Sequence, residues 1–233
     1  MEHWLFPNDL VEARRAQKEM ARKVIREDAF SNPIVHIAGM DISNTPFDPE
    51  QWVFGAAVSV LYPTLDIVET ATQVDRQQFP YIPGFLGFRE VPTLVKAYRQ
   101  LSFPVELVMV DGHGMSHPEG VGVATHLGVV LDIPSIGVAK SILVGKPAGV
   151  LAEPVGSHVP LIWKDQEIGM IVRTKKRCCP LIISAGHRIT LLTAFHIVMH
   201  CLQNYRLPEP TRQAHLAANL CRKGFQKNNI HSL

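Results

Sequence analysis

A chain of 233 residues is long enough to bury a substantial core, and its 46% hydrophobic and 19% charged content fits neither a disordered nor a fibrous protein. The formal net charge of +2 excludes a uniform polycation but leaves room for a local stripe of Arg and Lys that grips phosphates. No apolar run approaches the ~20 residues of a membrane span, and the opening "MEHWLFPNDLVEARRAQKEMARKVIRED" lacks a signal-peptide core. Cys178, Cys179, Cys201 and Cys221 form no CxxC pair and suggest no disulfide framework, so a cytoplasmic protein with reduced thiols is expected.

In chain order, residues 8–27 read as an amphipathic helix opened by "PND", with Leu10, Val11, Ala21 and Val24 among mixed charges. "PIVHIAGMDIS" (33–43) is a β-branched run that Asp41 is expected to end. "QWVFGAAVSVLY" and "LDIVETATQV", joined by "YPT", follow as strands. Three strands with short connections predict an antiparallel meander. Then "VPTLVKAYRQL" reads as a helix, "VELVMVDGHG" as a buried strand, "THLGVVLD" as a helix and "IPSIGVAKSIL" as a strand, an alternation that implies parallel pairing. "VPLIWKD", "EIGMIVRT" and "PLIISAG" are short strands, and "TLLTAFHIVMHCLQNY" is a long helix. No repeat or linker divides the chain, so residues 1–233 are expected to form one α/β domain: a mixed sheet, meander first and parallel strands after, with helices on both faces. Ligands of such sheets gather outside the carboxyl ends of the parallel strands.

Chemistry concentrates at those ends. Asp41, Glu90 and Asp111 sit on segments far apart in sequence, at the expected edges of elements. Each alone reads more readily as a cap or turn residue than as a ligand. Brought together, three carboxylates repel unless a cation neutralises them, and oxygen ligands without Cys favour a hard ion, Mg²⁺ or Mn²⁺. Lys140, inside the apolar "SIGVAKSI", needs either solvent at a strand end or an anion. His215, in "LPEPTRQAHLAAN", would lie about one turn inside a helix started by the two prolines. His196 and His200 have the i, i+4 spacing of a zinc pair, but Ile197 stands where the metalloprotease acid belongs, so they read as packing or surface residues. His113 and His117 lie near Asp111, and His117 is counted among candidate substrate contacts. In "QQFPYIPGFLGFRE" an aromatic, Tyr81, is stiffened between Pro80 and Pro83, just ahead of Glu90.

Taken together, "GMDIS", "FPYIPGFLGFRE", "LVMVDGHG", "PSIGVAKS", "ISAGHR" and "LPEPTRQAH" resemble, in order and over nearly the whole chain, the endonuclease V family of deoxyinosine-directed nucleases. The resemblance implies a ribonuclease H-like fold and Mg²⁺-dependent hydrolysis of the second phosphodiester 3′ to a deaminated purine, leaving 3′-hydroxyl and 5′-phosphate ends. It places the metal on Asp41, Glu90 and Asp111, with His215 beside it and Lys140 near the scissile phosphate. Pro80, Tyr81, Ile82 and Pro83 match the family's wedge, whose rigidity would reduce the cost of unstacking a base. Backbone amides around Gly84 to Leu86, Gly112 and Gly122 would read the flipped hypoxanthine, glycine permitting close approach. Two positions depart from the family: Glu119 stands where an Arg often follows "HP", and Asn44 where an aromatic residue is frequent. "RTKKR" (173–177), Arg212, Arg222 and Lys223 are candidate phosphate contacts.

The expected function is therefore DNA repair by a monomeric, cytoplasmic endonuclease acting on deoxyinosine, with Mg²⁺ as cofactor and Mn²⁺ able to substitute. Three other readings stay open: the same chemistry on inosine in RNA, a nuclease without lesion preference, and a binder of deaminated bases that does not cut.

Overall fold

A computed structural model describes residues 2–30, 33–45 and 48–230. After a 3-10 turn (Glu2–Trp4), helix α1 spans Leu10–Lys23. The Asp9 carboxylate accepts from the Glu12 amide at 2.7 Å, satisfying one of the donors a helix start leaves open. The predicted helix ran to residue 27; the backbone turns extended at Val24.

Strands β1 (His36–Asn44), β2 (Trp52–Leu61) and β3 (Ile67–Arg76) form the expected antiparallel meander. Helix α2 (Leu86–Tyr98), β4 (Leu107–Asp111), α3 (Val123–Leu131) and β5 (Ser135–Ala139) follow. Then come β6 (Lys146–Pro147), β7 (His158–Trp163), β8 (Gln166–Val172), β9 (Leu181–Ala185), α4 (Leu191–His200) and α5 (Glu209–Ile230). Among the described residues, nine strands join one mixed sheet, ordered β3-β2-β1-β4-β5-β9-β8-β7-β6. Among these strands β1–β4 and β4–β5 pair in parallel; β9 returns antiparallel to β5, and the far edge continues antiparallel.

Side-chain alternation sends the central strands' residues into two cores. Ile37, Leu107, Met109, Ile136 and Val138 pack towards α4 and α5, against Ala194, Phe195, Val198 and Ala214. Ala38, Met40, Val108 and Val110 face α2 and α3, against Val91, Leu94, Ala124 and Leu127. Each such aliphatic side chain contributes roughly 1.5–3 kcal/mol on burial. The start of α5 rests directly on β1, because a Cβ at Gly39 would lie 1.8 Å from the Pro210 carbonyl oxygen.

The structure departs from the sequence expectations at four further points. Asp41 does not end β1: it is the sixth residue of nine, because β1 keeps pairing with β2 as far as Asn44. Helix α2 begins at Leu86, not Val91, so Glu90 lies inside it. Strand β5 stops at Ala139, leaving Lys140 just past its end. His215 lies nearer two turns than one inside α5. Among the described residues all four cysteines are free, and no helix is long and apolar enough to cross a membrane.

Candidate active site

The site grows out of one register. Parallel pairing of β1 with β4 ends at Met40 opposite Val110, so Asp41 and Asp111 occupy the next rung, side by side on the α5 face. The close seat of α5 on Gly39 brings His215 over the same point. One ligand atom each from Asp41, Asp111 and His215 lies within 4.8 Å of the others. His215 Nδ1–H donates to Asp41 Oδ2 at 2.7 Å. Asn219, one turn on, donates to the His215 carbonyl at 2.9 Å, and its own oxygen accepts from the Ser43 hydroxyl at 2.9 Å. Lys140 Nζ donates to Asp111 Oδ2 from the end of β5.

Charge is crowded here. Asp41 is only 6% exposed. Burial, then Asp41, raises the Asp111 pKa, while Lys140 and His215 pull it back. The hydrogen bond His215 donates to Asp41 raises the His215 pKa despite partial burial. Glu90, reaching in from α2, lies outside the 4.8 Å group, yet burial and then the two aspartates push its carboxyl up to about 8. Oxygen-rich donors, no thiolate and mutually repelling carboxylates make a donor set that fits a hard divalent cation.

Next to this cluster is a cleft of about 260 Å³ lined by Tyr81, Ile82, Pro83, Gly84, Leu86, Gly112, His117 and Gly122 among others. Of the residues expected to handle a base, Pro80 and Phe85 do not line it; Pro80 lines a second cleft. The Pro80–Pro83 loop, the expected wedge, has a fixed root and a bare tip. Phe79 packs on Phe88 with ring centroids 5.5 Å apart, while Tyr81 is 68% exposed with the Arg89 guanidinium 5.4 Å from its ring centre. Gly84, at φ +83°, takes a backbone conformation that glycine adopts without strain. Its carbonyl accepts from Gln17 Nε2 at 2.7 Å and from His117 Nε2 at 3.1 Å.

Two parts of the base-reading expectation change. The amides of Gly112 and Gly122 already donate inside the protein, to Val138 O at 3.2 Å and Gly114 O at 3.0 Å. What these glycines offer the cleft is close approach of backbone, not free donors. Helices α2 and α3 both open at this cleft, and their N-caps, Phe85 and Gly122, provide no side-chain cap for the first amides. His117 is 6% exposed with both ring nitrogens engaged, since Nδ1 accepts from the Glu119 amide at 3.2 Å. It braces the wedge loop, and burial lowers its pKa. Burial also lowers His113, to about 4, and its Nδ1 lies 2.7 Å from the Ser116 hydroxyl.

The remaining candidates divide. Arg212 is held by Glu209 at 2.6 Å and lies 4.2 Å from the Tyr205 ring centre, and Arg222 donates to the Ser43 hydroxyl at 2.9 Å. His196 and His200 are exposed on α4, as expected of surface residues. Sequence reasoning passed over Gln17, Asn219 and Arg206. Asn219 had a signal, its i, i+4 spacing from His215 in "HLAAN". Arg206 had none: it donates to the carbonyls of Cys179 at 2.9 Å and Lys140 at 3.2 Å, tying β5's end to the approach to β9.

The chain matches the family model for endonuclease V over residues 18–216. It is 48% identical to an endonuclease V of Protochlamydia amoebophila over 97% of this chain and 96% of the relative. The crystal structure of endonuclease V from Streptomyces avermitilis superposes with a TM-score of 0.86 at 36% identity, covering 96% of both chains. That of the Ciona intestinalis enzyme, in complex with DNA containing an inosine followed by a ribo-adenosine, superposes with a TM-score of 0.77 at 25% identity, over 94% of this chain and 98% of that one. The chain belongs to the endonuclease V family.

Proposed function

We propose that this protein hydrolyses the second phosphodiester 3′ to a deaminated purine in DNA, with Mg²⁺ held by Asp41, Asp111 and Glu90 beside His215. One observation carries this reading: Asp111 belongs to the acid cluster and the next residue, Gly112, lines the base cleft, so base recognition and bond cleavage share a single strand end. Tyr81 offers an aromatic face to a helix that has lost a base. The uncapped amides opening α2 suit the keto oxygen of hypoxanthine, whereas the amino group of adenine would leave them unpaired. Lys140, already paired to Asp111, brings a positive charge to the side where charge develops on the phosphate. A divalent ion at the acids supplies water activation and charge neutralisation when bound. Glu90 must release its proton to join such a ligand set, so binding would be coupled to pH.

The test is cleavage of matched DNA and RNA strands, each with one inosine, in Mg²⁺ and in chelator. Cutting of the DNA only with Mg²⁺, lost in Asp111→Ala while inosine binding persists, supports the proposal; cutting that survives Asp111→Ala overturns it. The RNA arm has a specific motive: the strand bound by the Ciona relative carries a ribonucleotide directly after the inosine. Equal or faster cutting of RNA would transfer the same chemistry to inosine in RNA.

A further inference from the structure

Tyr81 is a wall common to two clefts. One is the base cleft beside Gly112. The other, about 590 Å³, opens between the wedge loop and the ends of β1 and β2. Its chemistry is unlike a phosphate groove. Carboxamides line it from Asn44, Gln51 and Gln77; of its aromatic residues Tyr81 is exposed, Phe79 is buried, and Trp52 already packs against the Arg76 guanidinium at 4.5 Å and Phe225 at 4.8 Å. Its charges are one of each sign: Asp48 accepts from the backbone amides of Glu50 and Trp52, and Arg89 donates from one Nη to Gln77 while its Nε has no partner among the described residues. Among the described residues the side-chain amides of Asn44 and Gln51 make no hydrogen bond. Rotatable amides beside the exposed Tyr81 ring, with near-zero net charge, suit the flat face and polar edge of a nucleobase of any identity. Asn44 is three residues beyond Asp41 on β1, about 10 Å at the rise of a strand, and Arg89 adjoins Glu90. The cleft is thus within a nucleotide or two of the acids, on the opposite side of Tyr81 from the base cleft.

We infer that this cleft is a second nucleobase subsite, which shelters a base unstacked by the wedge while the deaminated purine occupies the first. The inference rests on the proposed inosine-directed reading and extends it. A wedge that removes one base from a stack exposes others, and burying one of them offsets part of the unstacking cost. Two bases have this chemistry: the one facing the lesion across the duplex, and the one just 3′ of the cut in the same strand.

The test measures binding in chelator of a duplex with one deoxyinosine, and of two derivatives in which one of those two bases is removed to leave an abasic sugar. Wild-type protein and the double variant Asn44→Ala/Gln51→Ala are compared, both positions being exposed and outside the acid cluster. Removing the sheltered base should weaken wild-type binding by about tenfold, and the variant should lose much less from the same removal. The sensitive derivative identifies the source. If neither abasic substrate discriminates wild type from variant while inosine preference and Mg²⁺-dependent cutting persist, the subsite is refuted and the activity stands. If wild type shows no preference for inosine over adenosine, the functional reading itself fails first.

Discussion

His126 provides a sharp test of how the recognition side of the molecule is held. It is 1% exposed on α3, and its Nε2–H donates to the Trp4 carbonyl at 2.6 Å. A Cβ on Gly87 would come within 2.4 Å of its Nδ1, and its ring stands edge-on to Phe88 at 4.9 Å, so it lies beneath the first turn of α2. Burial depresses its pKa from 6.5 to about 4, the Trp4 hydrogen bond opposing and His117 adding slightly. The unfolded chain therefore binds the proton more readily than the folded one. The neutral form's contribution is complete above pH 6.5 and is lost as pH falls from there towards 4. At 1.36 kcal/mol per pKa unit, the shift corresponds to about 3 kcal/mol. His126→Gln keeps a donor for Trp4 but cannot titrate. Urea unfolding in chelator, followed by tryptophan fluorescence from pH 7 to pH 4, should show wild type losing about 3 kcal/mol more than the variant over that range. Carboxylate titrations are common to both proteins and cancel in the difference. A stability gap that stays constant across the range would refute the burial argument.

Three further outcomes are expected. Gly39→Ala must push α5 off β1 and draw His215 from Asp41, costing about 3 kcal/mol of stability, read by thermal unfolding, together with most of the cleavage rate. Arg206→Ala should lower turnover severalfold while inosine binding in chelator is unchanged, because the lost bonds steady the backbone of Lys140; an equal loss of binding would contradict that role. Tyr81→Ala should slow cutting of inosine strands at least tenfold and leave residual cutting of undamaged strands unaffected, and parallel losses on both would remove the wedge role.

Much of the frame was legible because local pattern and tertiary environment agree. Four apolar residues before Asp111 can only be a buried strand, and the acid after them can only be at its open end. The meander followed from β-branched runs with short turns. Asp41 was misplaced because a strand's end depends on its neighbours: β4 leaves at Val110 while β2 accompanies β1 to Asn44. The antiparallel return of β9 was hidden because an apolar run of five residues carries no direction. The occupied amides of Gly112 and Gly122 were equally invisible, since hydrogen bonding of a backbone donor is a property of the loop's path and not of the residue.

By itself the amino-acid order determined which side chains exist to do chemistry and roughly which elements carry them, because burial and periodicity act over a few residues. Only the tertiary structure decided that His215 rather than Glu90 stands closest to the two aspartates, that His117 is a brace, and that a second cleft backs onto Tyr81. Those facts depend on strand register and on the seating of α5 against a glycine, distances set by packing between segments 70 residues apart (Met40 and Val110) and 171 apart (Gly39 and Pro210), about which neither segment carries any local signal.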